Sequence, residues 1–145
     1  HVWMPLGKRV TIIGGGLVGL ELAEFLIERG RQVCVLESSS HLGRELAIVR
    51  RWRVLHGIRE QGGQLLTGVS VTAIEGNRVC YQTADGESAE VRGDSVVLAS
   101  GALPDTTLAD ALSSAGLKVV SIGDGQRVGY IEGAIAAGHQ AGCEA

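Results

Sequence analysis

The sequence predicts an α/β fold: a three-layer parallel sheet in which an antiparallel β-meander takes the place of one crossover helix. Three observations carry this. A β-branched apolar run, Val10-Thr11-Ile12-Ile13, leads into Gly14-Gly15-Gly16-Leu17-Val18-Gly19 and then a long amphipathic segment. A second apolar run, Val33-Cys34-Val35-Leu36, ends in the acidic Glu37. Farther on, short alternating runs are divided by the turn dipeptides Gly76-Asn77 and Asp85-Gly86, which mark antiparallel hairpins rather than more βαβ units.

The glycine stretch fits G-x-G-x-x-G, a weak signal alone. Strand before, helix after and an acid about twenty residues onward complete the dinucleotide-binding fingerprint of a Rossmann-like domain. Each residue has a physical task. Gly14 permits the tight turn out of the strand, Gly16 lets backbone approach a pyrophosphate, and Gly19 lets helix and strand pack closely. Leu17 and Val18 open the helix, whose unpaired N–H groups and positive dipole end face the phosphates. The plain alternative is a tight strand-to-helix turn with no ligand.

In chain order, residues 8–13 read as the first strand and Leu17–Arg29 as the first helix, stopped by Gly30. Glu21, Glu24 and Glu28 share one face, and Leu20, Ala23, Phe25, Leu26 and Ile27 form a broad apolar surface suited to lying on a sheet. Residues 32–37 are nearly continuous in apolar side chains, as buried parallel strands are. A serine-rich loop with His41 and Gly43 leads to a second helix, Glu45–Gln61, whose buried face is marked by Ile48, Trp52, Leu55 and Ile58. Gly62-Gly63 stops it. Gln64–Leu66, Val69–Ile74, Arg78–Gln82 and Ala89–Arg92 are short strands, and Ser95–Ala99 is another buried one. A helix at Thr107–Ala115, a strand at Lys118–Ile122 and a helix from Tyr130 complete the chain.

At 145 residues the chain can bury a sizeable core. Its net charge of −3 and the lack of a basic stripe with interleaved aromatics argue against nucleic acid. No apolar run is long enough to span a membrane, and the N-terminus lacks a signal-peptide layout. His1–Leu6 reads as a linker or appended remnant, which places the first domain at 8–105 after a linker of residues 1–7. Three cysteines without Cys-x-x-Cys exclude a redox dithiol or a zinc or iron–sulfur knuckle and point to a reducing, cytoplasmic setting. Cys34 and Cys80 read as small buried hydrophobes.

The order βαβαβ, meander, strand with Ala-Ser-Gly-Ala-Leu-Pro, strand with Ile-Gly-Asp resembles the pyridine nucleotide-disulfide oxidoreductase superfamily. In that family an NAD(P) domain is inserted into an FAD domain. The FAD-type motif usually has Pro after its second glycine. Here Leu17-Val18 follow Gly16, and Gly7-Lys8-Arg9 leads in, as in the inserted NAD(P) motif. The tail, Ser121-Ile122-Gly123-Asp124 through Ile131–Ile135 to Gly138-His139, is similar to the last segment of old yellow enzyme-like NADH:flavin oxidoreductases. That branch includes 2,4-dienoyl-CoA reductase and trimethylamine dehydrogenase. Its full members carry an FMN-binding (β/α)₈ barrel, iron–sulfur cysteines and the first half of the FAD domain upstream. The resemblance therefore implies a piece of a larger enzyme or a truncated gene, with FAD and FMN held in the parent only. Gly125 departs from the Cys that members commonly have.

Residue by residue, the cofactor set begins with Glu37, whose carboxylate can accept from both ribose hydroxyls of NAD and repels the 2′-phosphate of NADP. Arg44 is the contrary cue, since an arginine there could pair a phosphate, but a solvated helix-start residue is the preferred reading because Glu37 would oppose the phosphate. Ser38 lies where the adenosine ribose edge passes. His41 reads as a solvent-facing loop residue. Glu21 aligns with an acid that the superfamily places near nicotinamide and flavin, and it is also one member of a solvent stripe. Gly101 and Ala102 follow the last sheet strand, at the carboxyl edge where ligands sit. Asp124 resembles the Asp that binds the ribityl chain of FAD in complete members. The helix-two arginines form a solvated face. No nucleophile–base pair, metal-ligand spacing or paired carboxylates stand out, so no catalytic or metal residue is expected.

The expected function is therefore an NAD(H)-binding domain that positions NADH for hydride transfer to a flavin, with FMN-barrel and FAD-domain portions of the parent as partners. As a fragment it is expected to be inactive and to bind no FAD stably. The alternative is a non-catalytic ADP-binding or structural domain of a trimethylamine dehydrogenase-like flavoenzyme. Residues 106–145, resembling the end of an FAD domain, are expected to pack on the same sheet, with Lys118–Ile122 pairing beside Ser95–Ala99 through a right-handed crossover.

Overall fold

The computed structural model describes residues 5–144, so residues 1–4 of the expected linker, and residue 145, lie outside the described residues. The chain divides into two compact units, one ending at Gly101 and the other beginning at Ala102.

In the first unit, β1 (Arg9–Ile13), β2 (Gln32–Glu37), β3 (Gln64–Thr67) and β7 (Ser95–Leu98) form a parallel sheet in the order β3-β2-β1-β7. Side chains alternate across it, as the period of a strand demands. Val10, Ile12, Val33 and Val35 face α1 (Leu17–Ile27) and α2 (Ile48–Glu60), where they pack with Leu20, Ala23, Leu26, Val54 and Ile58. Ile13, Cys34, Leu36 and Val96 face the other way, against Val69, Val79, Tyr81 and Val91 of the meander region. That meander is the antiparallel sheet β4 (Ser70–Glu75), β5 (Arg78–Gln82) and β6 (Ser88–Arg92). It connects β3 to β7 and covers the face that a crossover helix would otherwise cover, giving the three layers expected.

One ion pair closes the sheet's amino edge. The Arg9 guanidinium lies 2.6 Å from Asp94 Oδ1, and the Arg9 backbone N–H donates to Oδ2 at 2.9 Å. These two contacts tie the start of β1 to the start of β7.

Several details correct the sequence reading. Gln64–Leu66 is not part of a hairpin: β3 pairs in parallel with β2. The second helix starts at Ile48, not Glu45, and its buried residues are Val54 and Ile58, with Leu55 partly covered. Ile48 and Trp52 are 86% and 65% exposed. The stripe that faces the sheet runs through positions 51, 54, 55 and 58, so Ile48 and Trp52 point away, and Trp52 stacks on His56 with ring centroids 5.0 Å apart. Phe25, placed in the apolar surface of α1, is exposed beneath the Arg29 guanidinium, 3.5 Å from its ring centroid.

The second unit holds α3 (Thr107–Ser114), a short 3₁₀ turn at Gly123–Gly125 and α4 (Tyr130–Glu144). Lys118–Ile122 forms no strand, and the parallel sheet ends at β7, contrary to the expected extension. Neither α3 nor α4 has a fully buried residue. Without a covered apolar face beside it, a five-residue run gains nothing from extended pairing. Among the described residues no helix is long and apolar enough to cross a membrane.

Candidate functional site

The turn between β1 and α1 is built by glycines doing different work. Gly14 adopts φ +112°, and a side chain there would collide with the Ala99 carbonyl and stand 2.9 Å from the Ser100 nitrogen. Its N–H donates to the Leu36 carbonyl at 2.8 Å, so the turn is stitched to the end of β2. Gly19, within α1, has the same dependence on missing bulk. A Cβ there would overlap the Gly14 carbonyl oxygen and stand 3.0 Å from its carbon. Gly16 differs from both. It caps α1 with φ −74° and ψ −168°, a conformation any residue accepts, and the nearest atoms to an added Cβ belong to the Glu45 carboxylate, at 3.3 Å. Gly14 and Gly19 therefore serve the fold, whereas at Gly16 the space a side chain would take is bounded only by the exposed Glu45 carboxylate.

That surface lies at the amino end of α1, which has neither a side-chain cap nor an acid in its first turn. Its first N–H groups lack intrahelical partners, as at any helix start. Leu17 is half-buried and Val18 is 61% exposed.

Glu37, half-buried at the carboxyl end of β2, sits beside this turn. Its Oε2 accepts from the Gly15 N–H at 2.7 Å, and its Oε1 accepts from the Ser39 N–H at 2.7 Å and, more weakly, from the Ser38 hydroxyl at 3.4 Å. Burial alone would raise its pKa, but the Ser39 and Gly15 backbone donors and the serine hydroxyls together hold it below the usual carboxylate range. A carboxylate has about four lone-pair positions; with the two backbone donors and the weak Ser38 contact in place, about one stays free, and a second becomes free if Ser38 turns away.

The structure thus brings together Gly14, Gly16, Leu17, Val18, Gly19, Glu37 and Ser38 at one edge of the sheet. Glu21 is exposed one turn into α1, and Arg50 of α2 feels its charge together with those of Glu24 and Glu28. Arg50 pairs with Glu24 at 2.5 Å. Gly101 has φ +106° in the open, beyond the end of β7. Ala102 and Asp124 belong to the second unit, where Asp124 Oδ1 accepts from the Gly129 N–H at 3.1 Å. His41 and Arg44 are exposed, and an Arg44 nitrogen lies 3.3 Å from His41 Nδ1.

Three further residues shape the site without having been singled out. Leu42 is buried against the glycine turn, so closely that Gly15 has no room for a side chain. Gly43, at φ +58°, donates its N–H to the Gly15 carbonyl at 2.8 Å. Glu45 lies over Gly16. The one legible sign was a lone leucine following Ser38-Ser39-Ser40-His41, an apolar residue in a polar loop.

Among the described residues there is no cluster of three or more side chains suited to a metal ion. Cys143 Sγ lies 3.8 Å from His139 Nε2, one turn apart on the exposed α4. The arrangement sets a helix N-terminus with free N–H groups and a hydrogen-bonded carboxylate side by side, chemistry suited to a diphosphate and a hydroxyl-bearing ligand.

The chain matches known proteins over nearly its whole length. The family model described as pyridine nucleotide-disulphide oxidoreductase matches residues 1–132. The bilirubin reductase of Mediterraneibacter gnavus is 39% identical over 142 residues, covering 97% of this chain and 22% of that protein. The NADH oxidase of Thermoanaerobacter brockii is 34% identical over 134 residues, covering 92% and 21%. Among solved structures, a 2-naphthoyl-CoA reductase complex superposes with a TM-score of 0.84 at 30% identity, over 96% of this chain and 21% of that one. The chain spans about one fifth of the length of these relatives.

Proposed function

Because this chain belongs to the pyridine nucleotide-disulphide oxidoreductase family, we propose that its first unit binds NAD(H) and positions it to reduce a flavin held elsewhere in a longer oxidoreductase of the old yellow enzyme-like branch. When bound, the nicotinamide supplies the hydride. The protein supplies placement. Gly16 leaves backbone open to the pyrophosphate, Leu17 and Val18 present N–H groups and the positive end of α1 to it, and Glu37 accepts from the ribose hydroxyls.

The observation that carries this reading is Glu37. Its carboxylate is held below the usual carboxylate range and fixed by two backbone donors, Ser39 and Gly15, the latter next to Gly16 in the glycine turn. An ionised carboxylate accepts hydroxyls well and opposes a 2′-phosphate. The second unit supports the same reading. Leu103, Leu108, Ile131 and Ile135 are 92%, 71%, 79% and 67% exposed, as suits a piece of an FAD domain whose remainder lies in the parent. Asp124 would there meet the ribityl chain, and the parent's FAD and FMN portions would be this chain's partners, in the cytoplasm.

Calorimetric titration with NADH, ADP and NADPH tests the reading. Charge-assisted bonds to Glu37 should favour NADH over NADPH by about 1–3 kcal/mol. Equal or tighter binding of NADPH would refute this and make Arg44 a phosphate ligand. ADP binding as tightly as NADH would instead indicate a domain that holds a nucleotide without a hydride role.

A further inference from the structure

Glu45 holds an unusual position for an exposed acid. Its Oε1 and Oε2 lie 3.3 and 3.6 Å from the point where a Gly16 Cβ would stand, and its carboxyl carbon lies at 3.8 Å. Outside Gly16 and its chain neighbours, these are the three atoms nearest to where a Gly16 side chain would stand, at the turn that a pyrophosphate would approach. No side chain caps α1, and none of its first-turn residues is acidic; besides Glu37 on the Gly15 N–H, Glu45 is the acid that lies beside this positive helix end.

Its backbone is anchored while its side chain is free. Gly43 donates to the Gly15 carbonyl at 2.8 Å, Leu46 N–H to the Gly43 carbonyl at 3.1 Å, and Arg51 Nε to the Leu42 carbonyl at 2.6 Å. Leu42 is wedged under Gly15, and Gly43 sits so tightly that a Cβ would meet Leu20 Cδ1 at 2.7 Å and Leu46 Cδ1 at 2.9 Å. The loop is thus riveted to the glycine turn through Leu42 and Gly43, and Leu46 folds back onto Gly43 just after Glu45. Its carboxylate forms no hydrogen bond among those of the described residues, so no hydrogen bond fixes it there.

We propose that Glu45 is a tethered anion that occupies the pyrophosphate position and must swing away when a nucleotide binds, setting the affinity and salt dependence of the site. This rests on the nucleotide reading of the same site. Two consequences follow. A diphosphate loses affinity to a neighbouring carboxylate that shares its field, and the displaced side chain lies on the loop that also carries Arg44. The loop would therefore report occupancy of the turn to whatever touches it.

The test compares the full chain with Glu45→Gln, using Glu28→Gln, at the far end of α1, as a control for net charge. Binding of ADP, NADH and adenosine is measured by calorimetry at low and high salt. Glu45→Gln should tighten ADP and NADH about 3- to 10-fold at low salt, with the gain shrinking as salt screens it. Adenosine, which has no phosphate, should bind both proteins equally, and Glu28→Gln should match the parent chain. Binding of ADP by the variant alone would support the proposal in its strongest form. Equal or weaker ADP binding by Glu45→Gln, with the parent chain binding normally, overturns the role of Glu45 and leaves the nucleotide site standing. Failure of both proteins to bind ADP or NADH overturns the site and the proposal together.

Discussion

Gly16 and Gly19 carry the same letter of the same motif, yet the structure assigns them opposite consequences on substitution. For Gly19→Ala, the new Cβ overlaps the Gly14 carbonyl oxygen, stands 3.0 Å from the carbonyl carbon and meets Ala99 Cβ at 3.5 Å. The first two are backbone atoms that cannot rotate aside, so α1 must move off the turn. Overpacking of this kind costs about 1–3 kcal/mol, at its upper end where backbone is struck. Alanine returns about 1 kcal/mol in helix propensity, which leaves a net loss of about 1–2 kcal/mol. At about 4–8 °C per kcal/mol for a unit of this size, melting should fall by roughly 5–15 °C. Gly16→Val starts from φ −74° and ψ −168°, and its Cβ would meet only the exposed Glu45 carboxylate, 3.3 Å away on a side chain free to rotate. Its stability should stay within about 0.5 kcal/mol of the parent chain, while ADP and NADH binding is lost. Circular dichroism melts and calorimetric titration read the two effects separately. A Gly19→Ala protein that melts with the parent chain, or a folded Gly16→Val protein that binds ADP normally, would refute the division of labour.

Glu37 gives a pH signature. Its folded pKa is lowered, burial opposing and the Ser39 and Gly15 donors prevailing, so its stabilisation is complete above the unfolded carboxyl value and is lost as pH falls through the folded one. Melts should therefore drop below about pH 4.5, and Glu37→Gln should flatten that limb; an identical acid limb in the variant would remove Glu37 as its source. Cys34 gives a chemical signature. Burial pushes its thiol up to about 11, so at pH 8 a disulfide reagent should label the exposed Cys143 rapidly and Cys34 only on unfolding. Rapid labelling of Cys34 in the folded protein would show that the β2–meander layer opens readily.

Strand and helix identities in the first unit were legible because each has its own period. Val33–Leu36 is continuous in apolar residues since both faces are covered, by α1 and α2 on one side and the meander on the other. The α2 face was misread because Ile48, Trp52, Leu55 and Ile58 fit a helical spacing as well as the stripe that is actually buried. Several registers of apolar residues compete on that helix, and the sheet chooses Val54 with Ile58. Lys118–Ile122 was misread for a different reason. Its β-branched residues carry strand propensity, but propensity needs neighbours, and the second unit offers that run no partner strand.

The site shows the same division between local and distant information. The glycine turn and Glu37 were legible because the fingerprint encodes them as spacing along one β-α-β unit. Leu42, Gly43 and Glu45 were not, because nothing in their spacing says that the loop after β2 folds back over the turn. What places them is a pair of contacts distant in sequence: the Gly43 N–H on the Gly15 carbonyl, and Leu42 filling the space that Gly15 leaves empty. Gly15 is the unnamed position of the motif, and its lack of a side chain is what admits Leu42. Under the proposed nucleotide reading, the middle glycine acts indirectly: it lets the loop sit close enough for Glu45 to lie beside Gly16, so the electrostatics there would be set from a segment that the fingerprint does not include.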